Sequence, residues 1–186
     1  MDVVLDAMVL RRPADEDAAD ALLLCSDHAV ALWNPVRGVE DLDTALEWCR
    51  RPADGVDGAP HTWHAVDRTN GRLLAQCSVF DVEERHAVAG VGYRVAPWAR
   101  GQLVGRIVLD AVTRWAFAEL RLYRVELHHS VANVASCRVA TAAGYRLEGV
   151  PRSQYVDGDG LRQDCHIHGR LVTDPDPDLG HRVPLL

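Results

Sequence analysis

The chain has 186 residues, 48% of them apolar and 25% charged, which suits one domain able to bury a hydrophobic core. Its net charge of −7 argues against nucleic acid, which demands a basic stripe, and is compatible with a cationic substrate. No apolar run reaches the length of a membrane span, and the N-terminus lacks the basic-then-apolar pattern of a secretory signal, so a cytoplasmic protein without a membrane partner is expected. Cys25, Cys49, Cys77, Cys137 and Cys165 are scattered and odd in number, which predicts free thiols, not a disulfide framework.

Residues 9–12 read as a short strand ended by Pro13. A helical run opens at Asp15 and continues to Leu32, where Asn34-Pro35 breaks it. A second helix spans 39–48 on 3.6-residue spacing, and the Pro- and Gly-rich stretch 51–60 is a loop. Strands follow at 62–66, 73–82 and 87–95, separated by short polar turns. Residues 103–120 form an amphipathic helix, 124–129 a strand, and 133–143 a helix stopped by Gly144. A closing hairpin, 146–156 with 161–172, turns at Asp157-Gly158-Asp159-Gly160. The domain is expected to occupy 1–173, with an acidic, Pro-rich tail over 174–186. This order predicts an α+β fold, a mixed and mostly antiparallel sheet flanked by helices.

The richest stretch runs from Val91 to Arg106. A strand ends, a short loop turns, and a long helix begins at once. The first turn of a helix offers unpaired N–H groups and a positive dipole end, a setting for an anion such as pyrophosphate. Gly101 and Gly105 permit close approach, while Arg100 and Arg106 add positive charge. A glycine-bearing turn of this kind is equally compatible with a simple connection.

Arg100-Gly101-Gln102-Leu103-Val104-Gly105 resembles the Arg/Gln-x-x-Gly-x-Gly/Ala motif of GNAT acyltransferases. Asn133-Val134-Ala135-Ser136, followed by Gly144-Tyr145, is similar to that family's second motif, and the whole of 8–173 resembles the ribosomal-protein N-terminal acetyltransferase (RimJ/RimL-like) branch. The resemblance implies acetyl-CoA as co-substrate, a primary amine as acceptor, and no metal. By the same resemblance, Gln102, Leu103, Val104, Gly105 and Arg106 hold the pyrophosphate. The backbone of Tyr93, Arg94 and Val95 pairs with the pantetheine arm as an added strand, and Asn133 and Ser136 lie near the thioester. A monomer or homodimer is compatible with the sequence.

Three positions depart from the family pattern. Leu103 replaces the motif's middle glycine and threatens to crowd the pyrophosphate. Gly90 stands where many relatives carry a strand Glu, and Ala140 where others carry a Tyr acid. Ser136 is then a candidate proton donor to the thiolate, or else a helix cap. Glu126 and His128, on one strand face, are candidate bases, or else plain surface residues. These gaps leave two alternatives: an acyl-CoA-binding module with little turnover, or an acyltransferase for another donor such as succinyl-CoA, with Arg94 or Arg138 recruited to it. Cys165-His166-Ile167-His168 is not expected to bind metal, because Cys165 points away from the two histidines, and His128-His129 diverge likewise. Trp33 and Trp48 are candidates to line the acceptor pocket or to pack in the core. No catalytic-serine elbow or nucleotide-binding glycine motif is present.

Overall fold

In the computed structural model, which describes residues 3–5 and 7–178, the alternating segments assemble into one eight-stranded sheet. The strands in chain order are β1 (Val3–Leu5), β2 (Met8–Arg11), β3 (His61–Asp67), β4 (Leu73–Glu83), β5 (Val88–Val95), β6 (Arg124–Ser130), β7 (Arg146–Gly149) and β10 (Cys165–Leu171), while β8 (Tyr155–Val156) and β9 (Arg162–Gln163) form a separate ribbon. The helices are α1 (Ala18–Cys25), α2 (His28–Trp33), α3 (Leu42–Cys49), α4 (Val104–Glu119) and α5 (Val134–Ala142). Spatial order in the sheet is β1-β2-β3-β4-β5-β6-β10-β7. All neighbours run antiparallel except β5 and β6, whose parallel pairing requires a crossover, here α4.

Strand alternation divides the sheet into two faces. Trp63, Cys77 and Tyr93 are cross-strand partners, and Trp115 of α4 meets Trp63 edge-on at 4.3 Å between ring centroids. That row therefore faces α4. The neighbouring row, His64, Gln76 and Arg94, faces the opposite way, where Trp48 of α3 lies 5.6 Å from the His64 ring.

Local chemistry moves several expected boundaries. The long helix expected from Asp15 to Leu32 is broken at Ser26-Asp27, because the Asp27 carboxylate accepts from the Ala29 and Val30 amides at 3.1 Å and starts α2. Asp41 likewise starts α3 at Leu42, not at Val39, by accepting from the Thr44 amide at 2.8 Å. The expected closing hairpin is also corrected. β7 pairs with β10 only to Gly149, and Pro151, which has no N–H for a ladder, turns the chain away. The β8–β9 ribbon instead reaches α2, where the Gly158 amide donates to the Leu32 carbonyl at 2.7 Å and the Tyr155 hydroxyl donates to that of Trp33. A Cβ on Gly158 would collide with the Ala31 carbonyl, so that approach needs glycine.

Residues 174–178 pack on the domain. Asp174 accepts from the Leu171 amide at 2.9 Å and pairs with Arg146, while the Asp178 carbonyl accepts from Arg106 at 2.6 Å. The rest of the expected tail lies outside the described residues.

A buried polar cluster ties the N-terminal helices to the sheet. The Asp17 carboxylate, fully buried, pairs with His64 Nδ1 at 2.7 Å and with both terminal nitrogens of Arg11 at 2.7 and 2.8 Å. Burial raises its pKa, but the bonds from His64, Arg11 and the Ala14 amide outweigh that and hold the carboxyl well below its ordinary 3.8. A carboxyl depressed in the folded state stabilises the fold above its unfolded pKa and loses that contribution as pH falls toward the folded value. Urea midpoints should therefore fall steadily below about pH 4. Asp17→Ala should cost roughly 3 kcal/mol at pH 7, because it strands His64 and Arg11 without their partner, and should flatten this acid limb.

Candidate active site

β5 and β6 pair only from Val88–Arg124 to Val91–Leu127. Past that point β6 stays with β10 as far as Ser130, while β5 follows β4 to Val95. The edge of β5 over residues 92–95 thus has no strand partner among the described residues, and the gap opens toward the start of α4 and α5.

One groove, of about 650 Å³, runs from this gap along the first turn of α4. Leu103 is the N-cap residue and holds a left-handed backbone with φ of 63°, the conformation its glycine counterpart would supply freely. Its side chain is 60% exposed and lines the groove beside the first turn. No side chain caps that turn. Gly101, with φ of 76°, has no atom within 4 Å of where a Cβ would sit, which keeps the mouth clear. These features fit a pyrophosphate at the helix end. Gln102 donates to the Trp98 carbonyl at 2.9 Å and closes the loop.

Arg100 is ion-paired with Asp27, whereas Arg106, which also lines the groove, donates among the described residues only to the neutral Asp178 carbonyl and keeps an unbalanced positive charge there. Gly105 is packed against β5, where a Cβ would lie 3.0 Å from Val95 Cγ2 and 3.3 Å from the Tyr93 ring. The missing side chain lets α4 approach the strand closely, while the Gly105 backbone lines the groove.

A second cleft, of about 910 Å³, lies on the other side of the gap under α2 and α3. The two share one wall: Trp33, Asn34, Tyr93, Arg94, Asn133 and Ser136 line both. Trp33 and Trp48 both line the second cleft. Within the shared wall, Arg94 donates through Nε to the Asn34 carbonyl at 3.1 Å, through Nη2 to Asn34 Oδ1 at 2.8 Å, and through Nη1 to Gln76 Oε1 at 2.6 Å. Asn34 Nδ2 in turn donates to the Tyr93 carbonyl at 3.2 Å, on the edge expected to pair with the pantetheine arm. Arg94 has no carboxylate partner among the described residues, and burial lowers its pKa.

The Tyr93 hydroxyl donates to Ser136 Oγ at 3.2 Å. Burial pushes the phenol up to about 12, so it stays protonated and acts as a donor. The cap of α5 is Asn133, whose Oδ1 accepts from the Ser136 amide at 3.1 Å. The Ser136 hydroxyl is therefore not spent on capping. Ala140 is fully buried, with no surface toward either cleft.

Glu126 and His128 do share a face and line the second cleft, with His128 Nε2 3.1 Å from Glu126 Oε2. Glu126 also accepts from Arg124 Nε at 2.7 Å. Burial raises its pKa, but the bonds from Arg124 and His128 outweigh this and hold it below the ordinary value, which makes the carboxylate a weak base. Gly90 is roofed by Phe80, whose ring would stand 2.6 Å from an added Cβ. Sequence reasoning missed Asn34, Gln76 and Phe80. Asn34 was legible only as a helix break beside Pro35, and the other two looked like ordinary strand residues.

A model of the acetyltransferase (GNAT) domain matches residues 7–146, and the chain belongs to this family of acyl-CoA-dependent N-acyltransferases, which use acetyl-CoA. Over 167 residues, 88% of this chain and 92% of the relative, it is 25% identical to the uncharacterized N-acetyltransferase YoaA of Bacillus subtilis (strain 168). Its fold is similar to ribosomal-protein-S5-alanine acetyltransferase from Vibrio fischeri, with a TM-score of 0.81 and 16% identity over 95% of this chain and 100% of that one. It is also similar to spermidine N-acetyltransferase from Vibrio cholerae in complex with CoA and spermine, with a TM-score of 0.74 and 19% identity over 90% of this chain and 97% of that one. Among the described residues no helix is long and apolar enough to cross a membrane.

The packing of Phe80 on Gly90 gives a direct test. Gly90→Glu should destabilise the protein by about 1–3 kcal/mol through overpacking. Adding Phe80→Ala to that variant should recover part of the loss in urea midpoint, because it vacates the space the new side chain needs.

Proposed function

We propose that the protein transfers an acetyl group from acetyl-CoA to a primary amine by direct attack in a ternary complex. The observation that carries this reading is the wall of six residues common to the two clefts, which lets groups bound on either side meet at Tyr93, Arg94 and Ser136. Acetyl-CoA supplies the acyl group as a thioester. The open amides from Gln102 to Arg106 bind its pyrophosphate, and the free edge of β5 aligns its arm toward Asn133 and Ser136. The acceptor enters the second cleft past Asp81 and Glu83, whose charge draws an ammonium in.

Of the two candidate bases, His128 takes the amine proton, and Glu126 orients its ring. The half-buried Arg94 cation favours a neutral amine and stabilises negative charge developing on the carbonyl oxygen. Ser136 donates to the departing sulfur, with its own oxygen braced by Tyr93. An acetyl donor is taken over succinyl on the acetyl-CoA use of the family. The fold neighbours include enzymes whose names give a ribosomal-protein alanine and spermidine as acceptors, so protein N-termini and polyamines head the panel of amines.

The test is release of free CoA thiol across that panel, preceded by thermal unfolding with acetyl-CoA, succinyl-CoA and CoA. Turnover with an amine, above hydrolysis, supports transfer. A thermal shift without turnover for any amine would favour the binding-module alternative. Ser136→Ala and Tyr93→Phe should lower kcat about tenfold with little change in KM for acetyl-CoA, and His128→Gln about a hundredfold. Equal losses in KM would assign these side chains to binding instead.

A further inference from the structure

Away from the two clefts' shared wall, three histidines and one cysteine converge between the sheet and α5. His166 on β10 is the direct cross-strand partner of His129 on β6, and His168 lies two residues further along the same face. Cys137 comes down from α5. One ligand atom from each of the four lies within 4.8 Å of the others. The His129 and His168 rings are stacked at 5.1 Å, and the His166 ring stands edge-on to both, at 5.2 and 5.7 Å.

These side chains are unpaired in a place where polar groups are normally paired. His129 is 4% exposed and His168 fully buried. His129 Nδ1 donates to the Ser130 carbonyl at 2.8 Å, and since a carbonyl only accepts, Nε2 carries the lone pair. That Nε2 has no partner, nor has His166 Nδ1, and neither nitrogen of His168 finds one in hydrogen-bond geometry, although the Tyr145 backbone approaches it. A backbone carbonyl fixing one ring nitrogen while the other points inward is the usual support behind a metal-binding histidine. Cys137 is the one cysteine among the described residues that is not buried, so the ion has a path in.

We infer that His129, His166, His168 and Cys137 form a closed tetrahedral site for a divalent transition ion of the zinc class. Three imidazoles and one thiolate suit zinc in both ligand type and number. Tetrahedral bonds of about 2.0–2.3 Å put ligands about 3.3–3.8 Å apart, so the observed spacing needs only side-chain rotation inward by about 1 Å. As the metal–sulfur bond forms, the Cys137 thiol gives its proton to solvent. The bound ion would pin α5 to β6 and β10 one residue beyond Ser136, and so fix the helix that carries Asn133 and Ser136 at the reaction site. The expectation of no metal weighed Cys165-His166-Ile167-His168 and His128-His129 each within its own strand, whereas this ligand set spans two strands and a helix.

The experiment is titration of the chelator-treated protein with Co²⁺, then displacement by Zn²⁺. Expected are one equivalent bound per chain, ligand-field bands of tetrahedral intensity and a sulfur-to-cobalt charge-transfer band. Cys137→Ser should abolish the charge-transfer band, and both it and His166→Gln should weaken binding by more than the ~10–100-fold that outer-shell changes cost. These two partly exposed ligands are chosen because their replacement spares the core. Should either variant fail to fold, protection of Cys137 from alkylation by Zn²⁺ in the unaltered protein decides the matter. No stoichiometric binding, cobalt spectra without a sulfur band, affinity unchanged in the folded variants, or no protection would each overturn the site.

Discussion

The separation of β5 from β6 past Val91 governs most of what the molecule can do. Two strand loyalties force it: β5 follows β4 as far as Val95, while β6 is held by β10 as far as Ser130. Parallel neighbours also cannot be joined by a tight turn, so the chain must leave β5 through α4 and return. The start of that helix then falls beside the gap, with its unpaired amides and positive dipole end directed there. Gly105 permits the close approach, since an added Cβ would lie only 3.0 Å from Val95 Cγ2 and 3.3 Å from the Tyr93 ring. The anion cradle, the free strand edge and the meeting of the two clefts are thus consequences of one break in pairing.

The polar groups at that break are costly, and the cost helps to interpret them. Burying a guanidinium without a carboxylate carries a penalty of several kcal/mol before compensation. Arg94 is compensated only by neutral oxygens of Asn34 and Gln76. Elsewhere the fold pairs its buried arginine with acid, as Arg170 does with Asp110 at 2.6 Å. The contrast places an unbalanced positive charge at the wall where the two clefts meet, which a core under selection for stability alone would not retain. Tyr93 supports the same reading, because a phenol pushed up to about 12 can brace Ser136 but does not ionise beside the cation.

The cradle was legible in the sequence because its physics is local. A strand, a glycine-bearing loop and a helix appear in order, whereas the cap of α5 proves to be Asn133 and not Ser136. What the sequence hides at Leu103 is its left-handed backbone, a conformation that residue type does not announce. The partners of Arg100 and Arg106, Asp27 and the Asp178 carbonyl, are hidden in the sequence because they lie about 72 residues away in the chain. The long first helix failed for a different reason: Asp27 sits inside an apolar-periodic run, and its capping bond outweighs the continuity of the pattern. Contacts between distant segments, such as Phe80 over Gly90 or His129 beside His166, leave no trace in periodicity.

The absence of a carboxylate at Gly90 then takes on a structural meaning. Phe80 fills the space above that strand position, so the site's acid–base chemistry must come from the neighbouring strand, where Gly90 faces Glu126 across the parallel pair. Glu126 by itself does not replace the missing base, since Arg124 and His128 both stabilise its ionised form. What the pairing does supply is an imidazole held at 3.1 Å by a carboxylate that Arg124 keeps in place. The glycine strand under Phe80 and the strand carrying the histidine–carboxylate pair are adjacent, and that adjacency puts His128 and Glu126 on the wall of the second cleft beside Gly90.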